Sequence, residues 1–554
     1  MNILGIHGGV TVNQHDAGAA LIRDGELICF VEEERLLRVK SPRGVLPIES
    51  ISACLKEAGL SMHDIDLVAL PGETYADIAE RTQAYLRHHF GYAPPIQPVN
   101  HQTAHLASAF FPSGFEQAMC LSYDAYGDRL SLAMGTATRE GGISIMETRP
   151  HDNSLGMFYA TITSFLGFIP GEDEYKVMGL APYGQNPVDL ACFAQPARDG
   201  YVVDGSYIRS SPPPGSIYEQ FYSESLVKLL GEPRRKGEPI TQYHRDIAAG
   251  AQQALESCAI SLVTYLHENT GLKNLCLAGG VALNCSANRL LAKLPFVENF
   301  FVQPAASDRG LALGSALQAA KEANEKLQPI NHVFFGPTQK EGSINSALEL
   351  TGLSAKEVSD PASVGAQLLA EGKIVGWFQG RSEFGPRALG HRSILAHPGL
   401  AHMKDEINAR VKYREEFRPF APSVLEERAP EVFDMAYPSP FMTIAFDVRN
   451  GWSQKLPATT HVNNTGRVQT VNVADNPIYH SLITCFEGLT GLPVVLNTSF
   501  NIKGQPIVES ALDALSTFAG TGLDALIIGS YVIHKSRSPK RFSSSSSGVN
   551  GVRA

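Results

Sequence analysis

Short apolar runs open the chain and turn residues separate them. Asn2–Ile6 reads as a strand, His7 to Gly18 as a Gly-rich turn, and Ala19–Ile22 as a second strand. Asp24-Gly25 is a hairpin signal, and Glu26–Glu32 follows as a third strand. A similar unit recurs at 118–137, where AMCLSYD is a strand ending on an acid, AYGD a turn and RLSLAMGTA the returning strand. Apolar positions at helical spacing predict helices over 45–59, capped by Gly59, and over 245–270 and 307–325. Strand Leu275–Ala278 runs into the turn Gly279-Gly280. The segment 326–362 is polar and Pro-containing, so the main junction falls there, ahead of an independent α/β segment over 363–534. The tail 538–554, SPKRFSSSSSGVNGVRA, is low-complexity and is expected to be disordered.

Composition narrows the class. With 554 residues the chain has room for three or four units of roughly 150 residues. Hydrophobic residues make up 44% and charged residues 18%, a globular balance. The formal net charge of -10 argues against a general nucleic-acid binder, which needs a basic face. The start MNILGIHGG carries no signal-peptide pattern, and no apolar run is long enough to span a bilayer. Eight scattered cysteines without a CxxC pair point to reduced thiols in a cytoplasmic protein.

Five clusters carry chemistry. His101 and His105 are spaced i,i+4, so on a helix both imidazoles share one face. Asp124 at a strand end and Asp308 at a helix start, where it could be only an N-cap, would complete a set suited to iron(II), zinc or manganese. Gly279-Gly280-Val281-Ala282-Leu283-Asn284 is a strand-to-helix turn that lets backbone approach an anion; no GKS or GKT follows, so it is not a Walker loop. Residues 377–418 hold Arg381, Arg387, Arg392, Lys404, Arg410, Lys412, Arg414 and Arg418. Lys404, Arg410 and Arg414 have acidic neighbours and read as a solvated helix face. Arg387 stands among small apolar residues, and a buried guanidinium there calls for an anion such as phosphate. The run VVLNTSFN ends in Asn497, Thr498 and Ser499, polar groups fit to line a ligand pocket, and Arg467 could add a phosphate contact. His15-Asp16, in the first turn, and Lys40 are placed to act on a hydroxyl or a nucleotide.

The repeated strand–turn–strand unit resembles the actin and sugar-kinase superfamily, also called ASKHA. The motifs HDAGAALIRDGEL, HQTAHLASAF, SYDAYGD, LAGGVALNCSAN, ASDRGLALG, GRSEFGPRALGHRSILA and PVVLNTSFN together resemble the NodU/CmcH family of O-carbamoyltransferases, over essentially Met1 to Lys535. The resemblance implies an α/β protein with a duplicated actin-like, TsaD-like carbamoyl-transfer domain over 1–345. A YrdC-like, carbamoyl-adenylate-forming domain over 346–537 would follow it. It implies that carbamoyl phosphate and ATP give carbamoyl adenylate at the second domain. The first then passes the carbamoyl group to a hydroxyl of a small natural product or sugar and releases AMP.

Carried over by motif, His101, His105, Asp124 and Asp308 would hold the metal, iron(II) by resemblance, with room for Mg2+ beside the cosubstrate ATP. His15 and Lys40 match the transfer site. Gly279, Gly280 and Asn284 match the adenosine-side loop. Arg387, Lys412, Arg418, Met442, Arg467 and Ser499 match the YrdC-like pocket, and Asn497 joins them. Arg387, Lys412 and Ser499 stand with His15 and Lys40 as the catalytic candidates. Two positions depart from the family pattern: Asn463 replaces a carboxylate in HVNNTGR, and Ala511-Leu512 replaces Pro-Glu ahead of Asp513. The expected partners are carbamoyl phosphate, ATP and a small hydroxylated acceptor, with no nucleic acid and no membrane, in a monomer or homodimer. The alternatives are a tRNA threonylcarbamoyl-pathway enzyme, a sugar-kinase-like ATPase and an inactive ATP-binding regulator.

Overall fold

The computed structural model describes residues 1–10, 14–209, 220–340 and 342–535. The tail over 538–554 lies outside these residues, as do positions 11–13 of the first turn.

Two five-stranded sheets have the same plan. In the first, the order is Glu26–Glu32, Gly18–Arg23, Asn2–His7, Leu67–Pro71, Ile96–Val99. The first three strands are antiparallel neighbours and the last two join in parallel. In the second, Gly142–Pro150, Leu130–Thr138, Gln117–Gly127, Asn274–Ala278 and Asn299–Val302 repeat that order and polarity. A hairpin explains the antiparallel pairs, and the parallel pairs need crossovers. The expected helices appear as Ile48–Ala58, Gln242–Thr270 and Leu311–Glu322. Gly59 caps the first with φ 66°, a conformation glycine adopts without a Cβ penalty. This duplication is the actin-like architecture.

Each half ends in a helix that crosses to the other half. His101–Phe110 follows the first sheet but packs on the second, and Leu311–Glu322 follows the second but packs on the first. The two helices also pack on each other, through small residues. A Cβ on Gly314 would stand 1.9 Å from the Ala104 carbonyl oxygen, and one on Gly5 would stand 1.9 Å from that of Ala312. The backbones therefore approach as closely as glycine allows.

Beyond these lies a mixed eight-stranded sheet, with a three-stranded sheet of Phe433–Asp434, Ala445–Val448 and Thr465–Arg467 in the same part of the chain. The order of the eight strands is Lys356–Glu357, Tyr531–His534, Ala525–Ile528, Val375–Phe378, Arg392–Ala396, Val494–Ser499, Ala421–Leu425, Gln469–Val471. Helices Pro361–Ala370 and Pro477–Thr490 pack together against the apolar side chains of one face. Ser343–Thr351 and Ala511–Gly520 do so on the other. The helix at 343–351, inside the segment read as a polar junction, thus belongs to this layer. Two hydrophobic clusters cross the junction: one joins Leu277 and Val302 to Val424 and Val494, the other joins Leu311 to Phe384 and Met442. Among the described residues, no helix is long and apolar enough to cross a membrane.

Gly314→Ala isolates the helix crossing. Alanine is the better helix former by about 1 kcal/mol, yet its methyl would drive into the Ala104 carbonyl. Net destabilisation of about 1–3 kcal/mol is expected from overpacking, read as a lower denaturation midpoint; a variant as stable as the parent would show that the crossing has slack.

Candidate active site

The crossed helices bring their first residues together. Asn100 caps His101–Phe110, its Oδ1 accepting from the N–H groups of Gln102 and Thr103 at 3.0 and 3.3 Å. This is what an Asn does at a helix start. The His101 N–H donates to Asp128 Oδ2 at 2.8 Å. Across the interface Asp308 opens the other helix; Ser307 occupies the cap position, so the Asp308 carboxylate is left to face the histidines. Its Oδ1 lies 3.6 Å from both His101 Nε2 and His105 Nε2. Asp124 Oδ2 lies 3.3 and 3.2 Å from the same two nitrogens.

The glycine turn orients Asp124. Asp124 Oδ1 accepts from the N–H groups of Ala125 at 2.8 Å and Gly280 at 3.1 Å, which leaves Oδ2 for the imidazoles. Gly279 has φ 87° and a Cβ there would meet Tyr123 O at 2.3 Å, so the turn requires glycine. One donor atom from each of His101, His105, Asp124 and Asp308 falls within 4.8 Å of all the others. Two imidazoles and two carboxylates at that spacing fit a divalent first-row ion. Burial works against charge on His105, but its bonds to Asp124 and Asp308 outweigh it and raise the group to about 9.

Beside this cluster, His15 Nδ1 lies 3.4 Å from Asp16 Oδ2. Burial opposes a charge on His15, but Asp16 prevails and lifts it to about 9, so the ring is cationic at neutral pH. Asp16 and Glu34 in turn bind Arg309, at 3.3 and 3.2 Å. Arg309 was not singled out in the sequence, although it directly follows Asp308. Lys40 is exposed at the cavity edge, with no carboxylate in ion-pair range among the described residues.

One cavity of about 470 Å³ runs from His15, Asp124 and Asp308 to Arg387, Arg467 and Ser499. Its far wall is cationic. Arg387, Arg414, Arg418 and Arg467 all line it, with Lys404. Among the described residues, neither Arg387 nor Arg467 has a carboxylate within ion-pair distance. Burial, and then mutual repulsion with Arg467, pushes Arg387 below its usual range. Arg418 stacks over Tyr175 at 4.5 Å and reaches Glu415 only at 3.6 Å.

Several cations depart from the sequence reading. Arg414 and Lys404 face the cavity rather than forming a solvated helix face: Arg414 stacks on Phe420 at 4.2 Å and donates to Asn408 Oδ1 at 3.1 Å, too enclosed to be solvated. Arg410 does lie outside, paired with Glu406 and Asp524. Arg392 is spent on the backbone carbonyls of Gln379 and Gly380, and Arg381 on those of Gly336 and Phe335. Lys412 is buried behind the wall, its ammonium donating to Ser499 Oγ at 3.3 Å and Asn501 Oδ1 at 2.8 Å. It therefore fixes Ser499 and Asn501 instead of presenting a free charge. Asn497 donates to Ala388 O at 3.1 Å and to Ser423 Oγ at 3.1 Å, bracing the residue after Arg387. Asn284 lines the cavity while exchanging two bonds of 3.0 Å with Gln252. Met442 lines it too, buried in a left-handed backbone with φ 56°. Asn463, in place of a carboxylate, accepts from Thr465 Oγ1 at 2.8 Å.

Family comparison agrees with this two-part arrangement. The models described as Carbamoyltransferase N-terminus and Carbamoyltransferase C-terminus match residues 3–94 with 69–317, and 366–535. The chain belongs to the carbamoyltransferase family. Similar relatives of this carbamoyltransferase include the nodulation protein NolNO of Sinorhizobium fredii, 40% identical over 94% of this chain and 79% of the relative. NolO of Bradyrhizobium diazoefficiens is 42% identical over 79% of each chain. Nodulation protein U of Rhizobium tropici is 28% identical over 90% of this chain and 92% of its own. Family membership implies transferase chemistry.

The arginine wall predicts a ligand response. Inorganic phosphate should raise the thermal midpoint of this carbamoyltransferase, since a ligand of the folded state at 100 times its Kd adds about 2.7 kcal/mol. Arg387→Ala should be no less stable without phosphate, having lost a repulsive charge, but should lose most of the phosphate-induced shift in a melting titration. An unchanged shift would remove Arg387 from the anion site.

Proposed function

We propose that this carbamoyltransferase is an ATP-dependent O-carbamoyltransferase working through carbamoyl adenylate. The observation that carries the reading is one continuous cavity, with Arg387 and Arg467, which have no carboxylate in ion-pair range among the described residues, at one end and His15, Asp124 and Asp308 at the other. Carbamoyl phosphate and ATP bring several negative charges, which Arg387, Arg414, Arg418 and Arg467 would neutralise. Together with one water they yield carbamoyl adenylate, pyrophosphate and phosphate.

In the second step an acceptor hydroxyl attacks the carbamoyl carbon. A carbon–oxygen bond forms, the bond to AMP breaks, and AMP leaves with the electron pair and the hydroxyl proton. The cationic His15, held by Asp16, suits the developing oxyanion or the departing phosphate better than it suits a general base. Lys40 would add a mobile charge at the same edge. Keeping the reactive anhydride inside one cavity limits its hydrolysis. His101, His105, Asp124 and Asp308 would hold the divalent ion, iron(II) by family resemblance, and that ion would supply Lewis acidity toward phosphate and carbonyl oxygens.

The direct test is incubation with carbamoyl phosphate, ATP and a panel of hydroxylated metabolites, read by mass for the gain of one carbamoyl group. Arg387→Ala should abolish carbamoyl phosphate-dependent AMP formation; AMP release at the parent rate would sink the phosphate assignment. His101→Ala should lose the bound metal by elemental analysis, and full occupancy in that variant would contradict the ligand set.

A further inference from the structure

The loop that carries Arg387 is gripped from the actin-like half. The Gly385 N–H donates to Glu32 Oε1 at 2.8 Å, and the Gly385 carbonyl accepts from Arg35 Nη2 at 2.6 Å. Arg35 Nε lies 3.4 Å from Glu32 Oε2, so the two side chains form one fork around a single residue's backbone. Both are buried, at 1% and 2% exposure. Gly385 has φ 90°, and a Cβ would stand 3.0 Å from Pro304 O. The loop is thus pressed against the other half at that point, two residues before Arg387.

A buried ion pair adds little net stability compared with a packed apolar pair. Its use has to be sought in what it fixes. Here it satisfies both the donor and the acceptor of Gly385, and the charges continue beyond it. Arg35 Nε is 4.0 Å from Glu34 Oε1, which is 3.2 Å from Arg309 Nη1. Arg309 Nε is 3.3 Å from Asp16 Oδ1, and Asp16 Oδ2 is 3.4 Å from His15 Nδ1. Arg309 is also the chain neighbour of Asp308. The ladder starts at the Arg387 loop and ends at His15.

We propose that Glu32 and Arg35 are positioning residues that set the Arg387 loop from the actin-like half, so that the anion wall and the His15 end of the cavity are held in one register. The proposal rests on reading the arginine wall as an anion site. It commits to no travelling signal; only a measured coupling would establish one.

The test uses the full chain with inorganic phosphate as the probe. Phosphate affinity is measured by calorimetry, and backbone hydrogen exchange is followed over 383–390, in the parent, Arg35→Lys and Glu32→Gln. Glu32→Gln keeps an oxygen for the Gly385 N–H but removes the charge that holds Arg35. Both variants should bind phosphate at least tenfold more weakly and exchange faster over 383–390, with exchange in the strands at 2–7 and 117–127 unchanged. A purely structural role would instead speed exchange across both sheets, and that result overturns the proposal. So does phosphate affinity within twofold of the parent in a folded variant. Should Arg35→Lys fail to fold, Glu32→Gln carries the comparison. A parent chain that binds no phosphate would overturn the anion reading itself and the proposal with it, an outcome distinct from a parent that binds and variants that bind equally.

Discussion

Four guanidinium groups share one cavity wall, and two of them have no carboxylate in range among the described residues. Like charges at ~5 Å repel by about 3 kcal/mol even at an effective dielectric of ~20. A wall of this kind does not assemble by attraction among its members; the surrounding structure must impose it. The surroundings meet that requirement with groups already committed elsewhere. Asn497, Ser423 and Gln469 form a bonded set that holds Ala388 and Leu389. Lys412 is bound to Ser499 and Asn501. Glu383 Oε1 accepts from the Leu389 N–H at 2.6 Å. The loop after Arg387 is therefore held by neutral and acidic side chains that present no positive charge to the cavity. Such preorganised charge acts on a ligand without reorganising when it arrives.

The sequence disclosed the elements more fully than the wall. Short apolar runs and turn residues marked the first hairpin closely, and the recurrence at 118–137 pointed to the duplication. These signals are local, which is why they are readable. That His101, His105 and Asp124 come together was anticipated from their ligand type, while Asp308 was ambiguous because an acid at a helix start is also what a cap looks like. Which cations face inward was not legible. Arg410 and Arg414 sit four residues apart beside similar acids, yet one pairs on the surface and the other lines the cavity. A π-helical turn at Asn408–Lys412 and the left-handed Tyr413, φ 47°, rotate the chain between them. No periodicity argument anticipates such a break. Arg309 escaped for another reason: its partners Asp16 and Glu34 are more than 270 residues away.

The duplication also explains why the metal-type cluster sits where it does. In each half the first strand ends at the same edge of its sheet, and the final helix crosses to the opposite half. Four points therefore come together: His7 and Asp124 on the first strands, and the helix starts at His101 and Asp308. The symmetry is one of backbone and not of chemistry. His7 Nε2 stays 3.9 Å from Asp308 and bonds the His15 carbonyl at 3.1 Å, while its counterpart Asp124 turns to the imidazoles. Burial lowers His7 to about 4, so it is neutral and adds no charge to the cluster. The first half thus contributes His7 and both imidazoles, His101 and His105, and the second contributes the two carboxylates, Asp124 and Asp308. Repeating a fold supplied the convergence; the divergence of the two copies at His7 and Asp124 makes one a neutral brace and the other a carboxylate turned to the imidazoles.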